Sequence, residues 1–267
     1  MTTAIPLFAE LSAQARWRKI DFISDLHLKA EEDETFRAWK YYMLNTSADA
    51  VFILGDLFET WVGDDCVLPG SFEANCGDVL RAAGAARDVY FMSGNRDFLV
   101  GTNFLRRHNV KALADPTVLI LNHERRYLLT HGDQLCTGDV SYQQFRAQVR
   151  STRWQKTFLA RPLAARQEMA RQMRARSQQR QTAAGMRADA DLPLAYQWLA
   201  KTKATVLIHG HTHRPGLREP SIDTQGRSLM IAVLTDWHIA GPDRRAEVLR
   251  LSVADGRLRG LPPADAV

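Results

Sequence analysis

The sequence predicts an α/β fold, and three observations lead to that prediction. Short runs of β-branched and apolar residues recur along the chain, and most of them lack the polar alternation of a half-exposed strand. Helix-like stretches at residues 35–44 and 72–86 separate the early runs. Polar side chains that can bind metal follow several runs directly. Alternating strands and helices build a layered core whose strand ends carry the chemistry.

Eight apolar runs are predicted strands. They lie at residues 20–24, 50–54, 89–92, 118–121, 127–130, 205–209, 230–234 and 248–253. The core is therefore expected to comprise residues 20–140 and 200–255. Residues 1–19 form an N-terminal extension before the first predicted strand.

Residues 141–199 interrupt this alternation and are predicted to form a basic helical cap inserted into the core. Between residues 141 and 187 the chain has eleven Arg or Lys residues and one acid, Glu168, a net charge of +10 in a chain that totals +5. Large apolar residues such as Phe145, Trp154 and Leu163 recur there at mostly helical spacing. A disordered linker would lack them, so the cap is expected to fold.

Composition is that of a globular protein with a full core: 267 residues, 45% hydrophobic and 24% charged. No apolar run approaches the ~18–20 residues that a bilayer-spanning helix needs. The first residues place their charges behind a broken apolar stretch, which is unlike a signal peptide. Cys66, Cys76 and Cys136 show no metal-binding spacing and are expected to be reduced thiols. These features predict a cytoplasmic protein.

Five short motifs place candidate ligands directly after predicted strands. They are Ser24-Asp25-Leu26-His27, Gly55-Asp56, Gly94-Asn95-Arg96-Asp97, His131-Gly132-Asp133 and His209-Gly210-His211-Thr212-His213. Alternate residues of an extended chain share a face, so Asp25 and His27 can meet one cation. A lone Asp after a strand is more often a turn or capping residue, and a lone His is more often structural. Five coincidences of residue type and position in one chain favour a common site.

The residue types indicate the class of metal. Carboxylates, imidazoles and an amide oxygen, without a thiolate, favour Mn²⁺, Fe or Zn²⁺. The candidate ligands are Asp25, His27, Asp56, Asn95, His131, His209 and His211. Seven ligands exceed the needs of one tetrahedral ion, which indicates two ions that share a carboxylate. His213 continues the spacing of the last motif and is expected to have a supporting or structural role.

The order of these motifs resembles the calcineurin-like metallophosphoesterases. Fuller strings, SDLHL, ILGDLFETWVGDD, SGNRDFLVG, THGDQLCTGDVSYQQFR and IHGHTHRP, are similar to the UDP-2,3-diacylglucosamine pyrophosphatase family, hydrolases of the lipid A pathway in Gram-negative bacteria. The resemblance covers residues 20–237. It implies a four-layer αββα metallophosphoesterase sandwich with a helical cap insertion.

The resemblance also implies a site. One Mn²⁺ ion would be held by Asp25, His27, Asp56 and His211, and the other by Asp56, Asn95, His131 and His209, with Asp56 as the bridge. Catalysis would depend on Asp56, Asn95, Arg96 and His131, and substrate binding on Asn95, Arg96, Asp139, Ser177 and His209. The implied reaction is water attack on the α-phosphorus of UDP-2,3-diacylglucosamine, which gives UMP and 2,3-diacylglucosamine 1-phosphate.

Three departures from the family pattern lie away from the expected ligands. Gln181 and Ala184 stand where the family shows Asn or Thr and then Lys, and the Met-Asp-Val-Asn that follows is absent. Thr235 replaces a Gly before the Asp-Trp pair. The contact of the family's Lys is therefore either missing or supplied by another base such as Arg180 or Arg187. These differences concern the cap and leave the metal chemistry unchanged.

The basic, aromatic-rich cap has three interpretations. It can line a groove for acyl chains and rest on anionic phospholipids, it can bind nucleic acid, or it can be a solvated helix face packed on the core. The first is expected, with a peripheral location on the cytoplasmic face of the inner membrane, no nucleic acid and no obligate protein partner. Two alternative functions stay open: a metal-dependent nuclease or nucleotide phosphodiesterase on the same scaffold, and a non-enzymatic membrane-surface binding protein.

Overall fold

Two β-sheets lie face to face in a computed structural model of the chain, with helices on both outer sides. The structure describes residues 5–184, 189–218 and 220–267, and of residues 176–184 it describes the backbone alone. The strands are β1 (Ala9–Ser12), β2 (Lys19–Ile23), β3 (Ala50–Leu54), β4 (Asp88–Met92), β5 (Val110–Leu113), β6 (Thr117–Ile120), β7 (Arg126–Leu129), β8 (Val206–His209), β9 (Gly216–Leu217), β10 (Ser221–Ile222), β11 (Ser228–Val233), β12 (Val248–Ser252) and β13 (Leu258–Leu261). The α-helices are α1 (Asp33–Asn45), α2 (Phe72–Ala86), α3 (Thr102–Arg107), α4 (Val140–Val149), α5 (Thr152–Leu159), α6 (Leu163–Ala184) and α7 (Leu192–Thr202).

The first sheet has the strand order β13-β12-β2-β3-β4-β5. Strands β2 to β5 pair in parallel, and β12 pairs antiparallel with β2. Every residue of β3 and β4 is buried, since both faces of the sheet are covered. Burial on both faces explains why these strands read as continuous apolar runs.

The second sheet has the order β1-β6-β7-β8-β11-β10, with β9 alongside β11. Strand β8 lies parallel to both β7 and β11. The carboxyl ends of β7 and β8 therefore meet at one edge of this sheet, as those of β2, β3 and β4 do in the first.

Three apolar clusters define the layers. Phe52 of β3 and Ile208 of β8 belong to the cluster between the sheets. Trp39 of α1 lies in the cluster outside the first sheet, and Trp198 of α7 lies in the cluster outside the second. The expected four-layer αββα sandwich is confirmed.

The segment between β7 and β8 is helical, and its last helix, α7, packs with the core. Helices α4, α5 and α6 follow one another between residues 140 and 184. Leu194, Trp198 and Leu199 of α7 are buried against strands of the second sheet. The described helices that do not belong to this cluster thus end before Leu192, and the cap boundary at residue 199 stays a prediction.

The N-terminal extension adds a strand to the core. Residues 9–12 of β1 pair in parallel with residues 117–120 of β6. Glu10 of β1 forms an ion pair with Arg126 at 2.5 Å between Oε1 and Nη2. Within the described ranges, no helix has both the length and the hydropathy that crossing a bilayer requires.

Candidate metal centre

Strand ends gather the five motifs into one place. Asp25 and His27 follow β2, Asp56 follows β3, and Asn95 follows β4 of the first sheet. The motif that contains His131 follows β7, and the Gly-His-Thr-His motif follows β8 of the second sheet. The carboxyl edges of both sheets thus supply side chains to a common centre.

The first group of candidate ligands consists of Asp25, His27 and His213, whose ligand atoms all lie within 4.8 Å of one another. Nε2 of His27 lies 3.3 Å from Nε2 of His213. Oδ1 of Asp25 lies 4.0 Å from the first of these nitrogens and 3.5 Å from the second. This oxygen is buried and has no hydrogen-bond partner among the described residues. Two imidazoles and an unsatisfied carboxylate oxygen are a donor set that fits a divalent cation.

The second group consists of Asp25, Asp56 and His131. Nε2 of His131 lies 3.8 Å from Oδ1 of Asp56. Oδ1 of Asn95 lies 3.0 Å from that nitrogen and 2.8 Å from Nδ1 of His211. A carboxylate, an amide oxygen and two imidazoles therefore surround a second position. These residues also fit a divalent ion.

The three histidines of the last motif lie at different points of the site. His213 lies in the first group, and Nδ1 of His211 lies 2.8 Å from Oδ1 of Asn95. Nδ1 of His209 donates to the carbonyl oxygen of Gly210 at 2.9 Å, and its Nε2 is buried without a partner in the described part of the chain. Nε2 of His209 is therefore also available to an ion, and the expected ligand roles of His209 and His211 stay predictions.

The negative charges of Asp56 and Asp25 affect the pKa values of histidines in both groups. Burial lowers the pKa of His27, and the negative charges of Asp56 and Asp25 offset part of this effect. Burial also opposes protonation of His131, but the charges of Asp56 and Asp25 outweigh it and raise the pKa to about 9. Burial lowers the pKa of His211 to about 4, so that ring is neutral at physiological pH.

His131 is oriented by the strand beside it. Its side chain is completely buried, and Nδ1 donates to the carbonyl oxygen of Leu54 at 2.9 Å. This bond leaves Nε2 directed toward Asp56 and Asn95. A backbone acceptor at one ring nitrogen is a common way to fix the nitrogen that faces a metal.

The backbone at the site is strained. Among the described residues, seven other than glycine have positive φ. Five of them are Asp25, His27, Asp56, His211 and His213, with φ between 50° and 64°. The left-handed region costs a residue with a Cβ about 1–2 kcal/mol. Such strain is typical of functional sites, where the surrounding structure maintains it.

Two glycines allow the backbone to approach the carboxylates. A Cβ on Gly94 would lie 2.1 Å from Oδ1 of Asp56, and one on Gly210 would lie 2.1 Å from Oδ2 of Asp25. No Cβ fits at such a distance. The Gly-Asn and Gly-His pairs of the motifs therefore have a steric cause.

Two further acids support the motif loops. Asp97 is buried and accepts hydrogen bonds from the backbone of Gly94 and Leu57, each at 2.8 Å. Burial, followed by the charge of Asp56, raises the pKa of Asp97 to about 7.

Asp133 links the His-Gly-Asp loop to the cap. Its Oδ2 accepts from the hydroxyl of Tyr142 and from Nε of Arg146 on α4, each at 2.7 Å. The Tyr142 ring also stacks on His211, with centroids 5.8 Å apart. The start of the cap is therefore packed against the candidate ligands.

The residues expected to bind substrate have different surroundings. The backbone N–H of Arg96 donates to Oδ1 of Asp56 at 2.8 Å. The side chain of Arg96 is half-buried, and its Nη1 lies 3.8 Å from Oε1 of Glu59. Asp139 is exposed and caps α4 through the backbone N–H of Tyr142 at 2.9 Å. The side chains of Ser177, Gln181 and Ala184 lie outside the described residues.

Sequence reasoning missed Glu59. Its Oε2 lies 3.1 Å from Nδ1 of His27, and its Oε1 lies 3.8 Å from Nη1 of Arg96. The sequence indicated a role for Glu59 only through its place in the ETWVGDD string, three residues after Asp56.

Comparison with known proteins identifies the family of this chain. The family model described as calcineurin-like phosphoesterase matches residues 18–215, most of the chain. The chain belongs to the calcineurin-like phosphoesterase family. Membership in this family makes the chain a metal-dependent phosphoesterase, and it confirms the resemblance that the motifs indicated.

Relatives within the calcineurin-like phosphoesterases share a more specific name. A UDP-2,3-diacylglucosamine hydrolase of Stenotrophomonas maltophilia is 41% identical over 237 residues, 85% of this chain and 94% of that protein. The hydrolase of the same name from Serratia proteamaculans is 42% identical over 224 residues, 82% of this chain and 91% of its own length. The solved structure of Vacuolar Protein Sorting 29 from Cryptosporidium parvum is 13% identical, with a TM-score of 0.43, and covers 92% of this chain and 96% of its own.

Proposed function

We propose that this protein hydrolyses the pyrophosphate bond of UDP-2,3-diacylglucosamine. Water attacks the α-phosphorus, and the products are UMP and 2,3-diacylglucosamine 1-phosphate. One observation carries the proposal: the two candidate ligand groups lie at the carboxyl ends of the strands, and Tyr142 and Arg174 of the basic cap contact His211 and Glu59 beside them. The proposal is also supported by the name of relatives that match this chain over more than nine tenths of their length.

The site would hold two divalent ions, and Mn²⁺ is the ion proposed. Asp25 and His27 would bind the first ion, and Asn95 and His131 the second. The last motif would supply His211 and His209, and His213 lies close enough to Asp25 to support the first position. Asp56 is proposed as the carboxylate that both ions share: it belongs to the second group, and its charge also acts on His27 of the first. When bound, such ions supply an acidified water and neutralise charge on the phosphoryl oxygens.

The protein's own groups would orient the substrate. The guanidinium of Arg96 has the planar fork that matches phosphate oxygens, and its backbone is fixed by the bond to Asp56. The leaving sugar 1-phosphate is a weak base, so the reaction does not require a dedicated general acid. Tyr142 and Arg146 join α4 to Asp133, which would keep the cap close to the reacting phosphate.

The cap would also hold the protein on an anionic membrane surface, at the cytoplasmic face of the inner membrane. Arg153, Lys156 and Arg161 are exposed on or near α5. Leu159 is 43% exposed between them. Each basic residue near an anionic surface contributes about 1 kcal/mol. No nucleic acid and no obligate protein partner are part of this proposal.

The decisive experiment uses purified protein that is stripped of metal, resupplied with Mn²⁺ and incubated with UDP-2,3-diacylglucosamine. Release of UMP is expected. Cleavage of an oligonucleotide instead of the lipid would favour the nuclease alternative and refute the substrate. Binding to vesicles without cleavage of either compound would favour a non-enzymatic role.

A further inference from the structure

Two histidines of the first ligand group are each backed by a carboxylate. Nδ1 of His27 lies 3.1 Å from Oε2 of Glu59, and Nδ1 of His213 lies 3.2 Å from Oδ2 of Asp236. The contact of His27 is an ion-pair distance and not a hydrogen bond, because its Nδ1 has no hydrogen-bond partner among the described residues. The opposite nitrogen of each ring, Nε2, faces the other ring and Asp25. A carboxylate at the outer nitrogen of a metal-binding histidine fixes its tautomer and its orientation.

Each carboxylate is in turn held by an arginine from a different part of the fold. Asp236 accepts from Nε and Nη2 of Arg245, at 2.7 and 2.6 Å, in the segment between β11 and β12 of the core. Glu59 pairs with Arg174 of the cap helix α6. Nη1 of Arg174 also donates to the hydroxyl of Thr60 at 3.0 Å. Both histidines are thus reached through a carboxylate from an arginine. For His213 the arginine, Arg245, lies in the core, and for His27 the arginine, Arg174, lies in the cap.

Helix α6 has a second, independent anchor on the same loop. Arg166 is 2% exposed, and its guanidinium donates to Asp65 at 2.8 Å and to the carbonyl oxygen of Val62. Asp65 and Val62 do not contact the ligand groups through any described hydrogen bond or ion pair. The Arg174 contact is therefore the described link from α6 to His27, and its loss would leave α6 anchored by Arg166.

We propose that Glu59 is a positioning residue that couples the docking of the cap helix to ion binding at the first ligand group. With Arg174 in place, the Glu59 carboxylate is held 3.1 Å from Nδ1 of His27, where its negative charge favours the ring orientation that directs Nε2 at the ion. By linkage, an ion at His27 must strengthen the docking of α6 by the same factor. The inference rests on the ion site proposed above.

The test uses the full-length protein and Mn²⁺ as the probe. Mn²⁺ affinity is measured by calorimetry on metal-stripped protein, and amide hydrogen exchange of α6 is measured with and without Mn²⁺. Glu59→Gln keeps the shape of the side chain but removes its charge, and it is expected to weaken Mn²⁺ binding about tenfold. Arg174→Met is expected to weaken it about fivefold. In both variants, Mn²⁺ should no longer slow exchange in α6.

Arg245→Met is the matched control. It removes the arginine behind Asp236, so it should weaken Mn²⁺ binding while Mn²⁺ still slows exchange in α6. Circular dichroism of each metal-free variant checks that the fold is retained.

The outcomes separate the hypotheses. Unchanged Mn²⁺ affinity in Glu59→Gln and Arg174→Met would overturn the coupling. Equal loss of the α6 response in Arg174→Met and Arg245→Met would also overturn it, because general loosening of the site would explain both. If the wild-type protein binds no Mn²⁺ at all, the proposed ion site fails, and this inference fails with it.

Discussion

Gly94→Ala tests the geometry of the site most directly. The added Cβ would lie 2.1 Å from Oδ1 of Asp56 and 2.4 Å from its backbone nitrogen, whereas ordinary contact begins at 3.4 Å. Rotation of the Asp56 side chain relieves the first contact but not the second. One of the two loops must therefore retreat by about 1 Å.

The expected magnitudes follow from that displacement. Overpacking of this kind costs about 1–3 kcal/mol of unfolding free energy. A misplacement of about 1 Å at a reacting centre costs on the order of 100-fold in rate. Gly94→Ala is therefore expected to release UMP about 100 times more slowly at saturating Mn²⁺, with a modest loss of stability in urea.

Gly138→Ala is the control. A Cβ there meets nothing within 4 Å, and the residue is exposed near the start of the cap. This variant should match the wild type in both assays. Wild-type turnover in Gly94→Ala would refute the close approach of Gly94 to Asp56 and the need for Asp56 at its present position.

Three further predictions concern the ions, the cap and the fold. Asp56→Ala should abolish UMP release and lower the amount of bound Mn²⁺ measured by elemental analysis; near-normal turnover would contradict its place between the ions. Reversing the charge of Arg153 and Arg161 should weaken the affinity for anionic vesicles, measured by co-sedimentation, by about tenfold or more. Hydrolysis of a short-chain soluble analogue should be unchanged. If the wild-type protein binds neutral vesicles as tightly as anionic ones, the electrostatic contact is refuted. Burial raises the pKa of Asp88, but hydrogen bonds, first that from Lys111, outweigh burial and hold the pKa below its usual range. The ionised Asp88 therefore stabilises the fold fully above its pKa in the unfolded chain, about 4. This stabilisation is lost as the pH falls through the lower pKa of the folded protein. Asp88→Asn should therefore lower the urea midpoint at pH 7 and have a smaller effect near pH 3; an equal effect at both would exclude a role for the charge.

Much of the fold could be predicted because the core strands are buried on both faces. All eight predicted strands have counterparts in the structure. The extension strand β1 was not predicted, because its residues alternate between partial burial and exposure at a sheet edge and carry Glu10. Helix α7 was assigned to the cap because basic helices precede it directly. Only its contacts with the second sheet show that it belongs to the core.

At the candidate site, the motifs predicted which strand ends converge, but not how the three histidines of the last motif are arranged around the site. His209, His211 and His213 are two residues apart, so alternation along an extended chain cannot distinguish them. The strand ends at His209, and the backbone of His211 and His213 then turns into the left-handed region. That turn, which the sequence does not reveal, brings His213 to Asp25. Glu59 and Asp236 escaped prediction because their partners come from distant segments.

The left-handed backbone of Asp25, His27, Asp56, His211 and His213 has a consequence for protein design. These side chains reach their positions because the main chain beneath them adopts a conformation that an ordinary strand-to-loop connection avoids. Transplanting the five residues onto another scaffold would therefore fail unless the loop conformations were transplanted with them. Glycine substitution is the usual way to relieve strain at a residue with positive φ. At any of these five positions it would also remove the side chain that the site uses, so it cannot stabilise the protein without damaging the site.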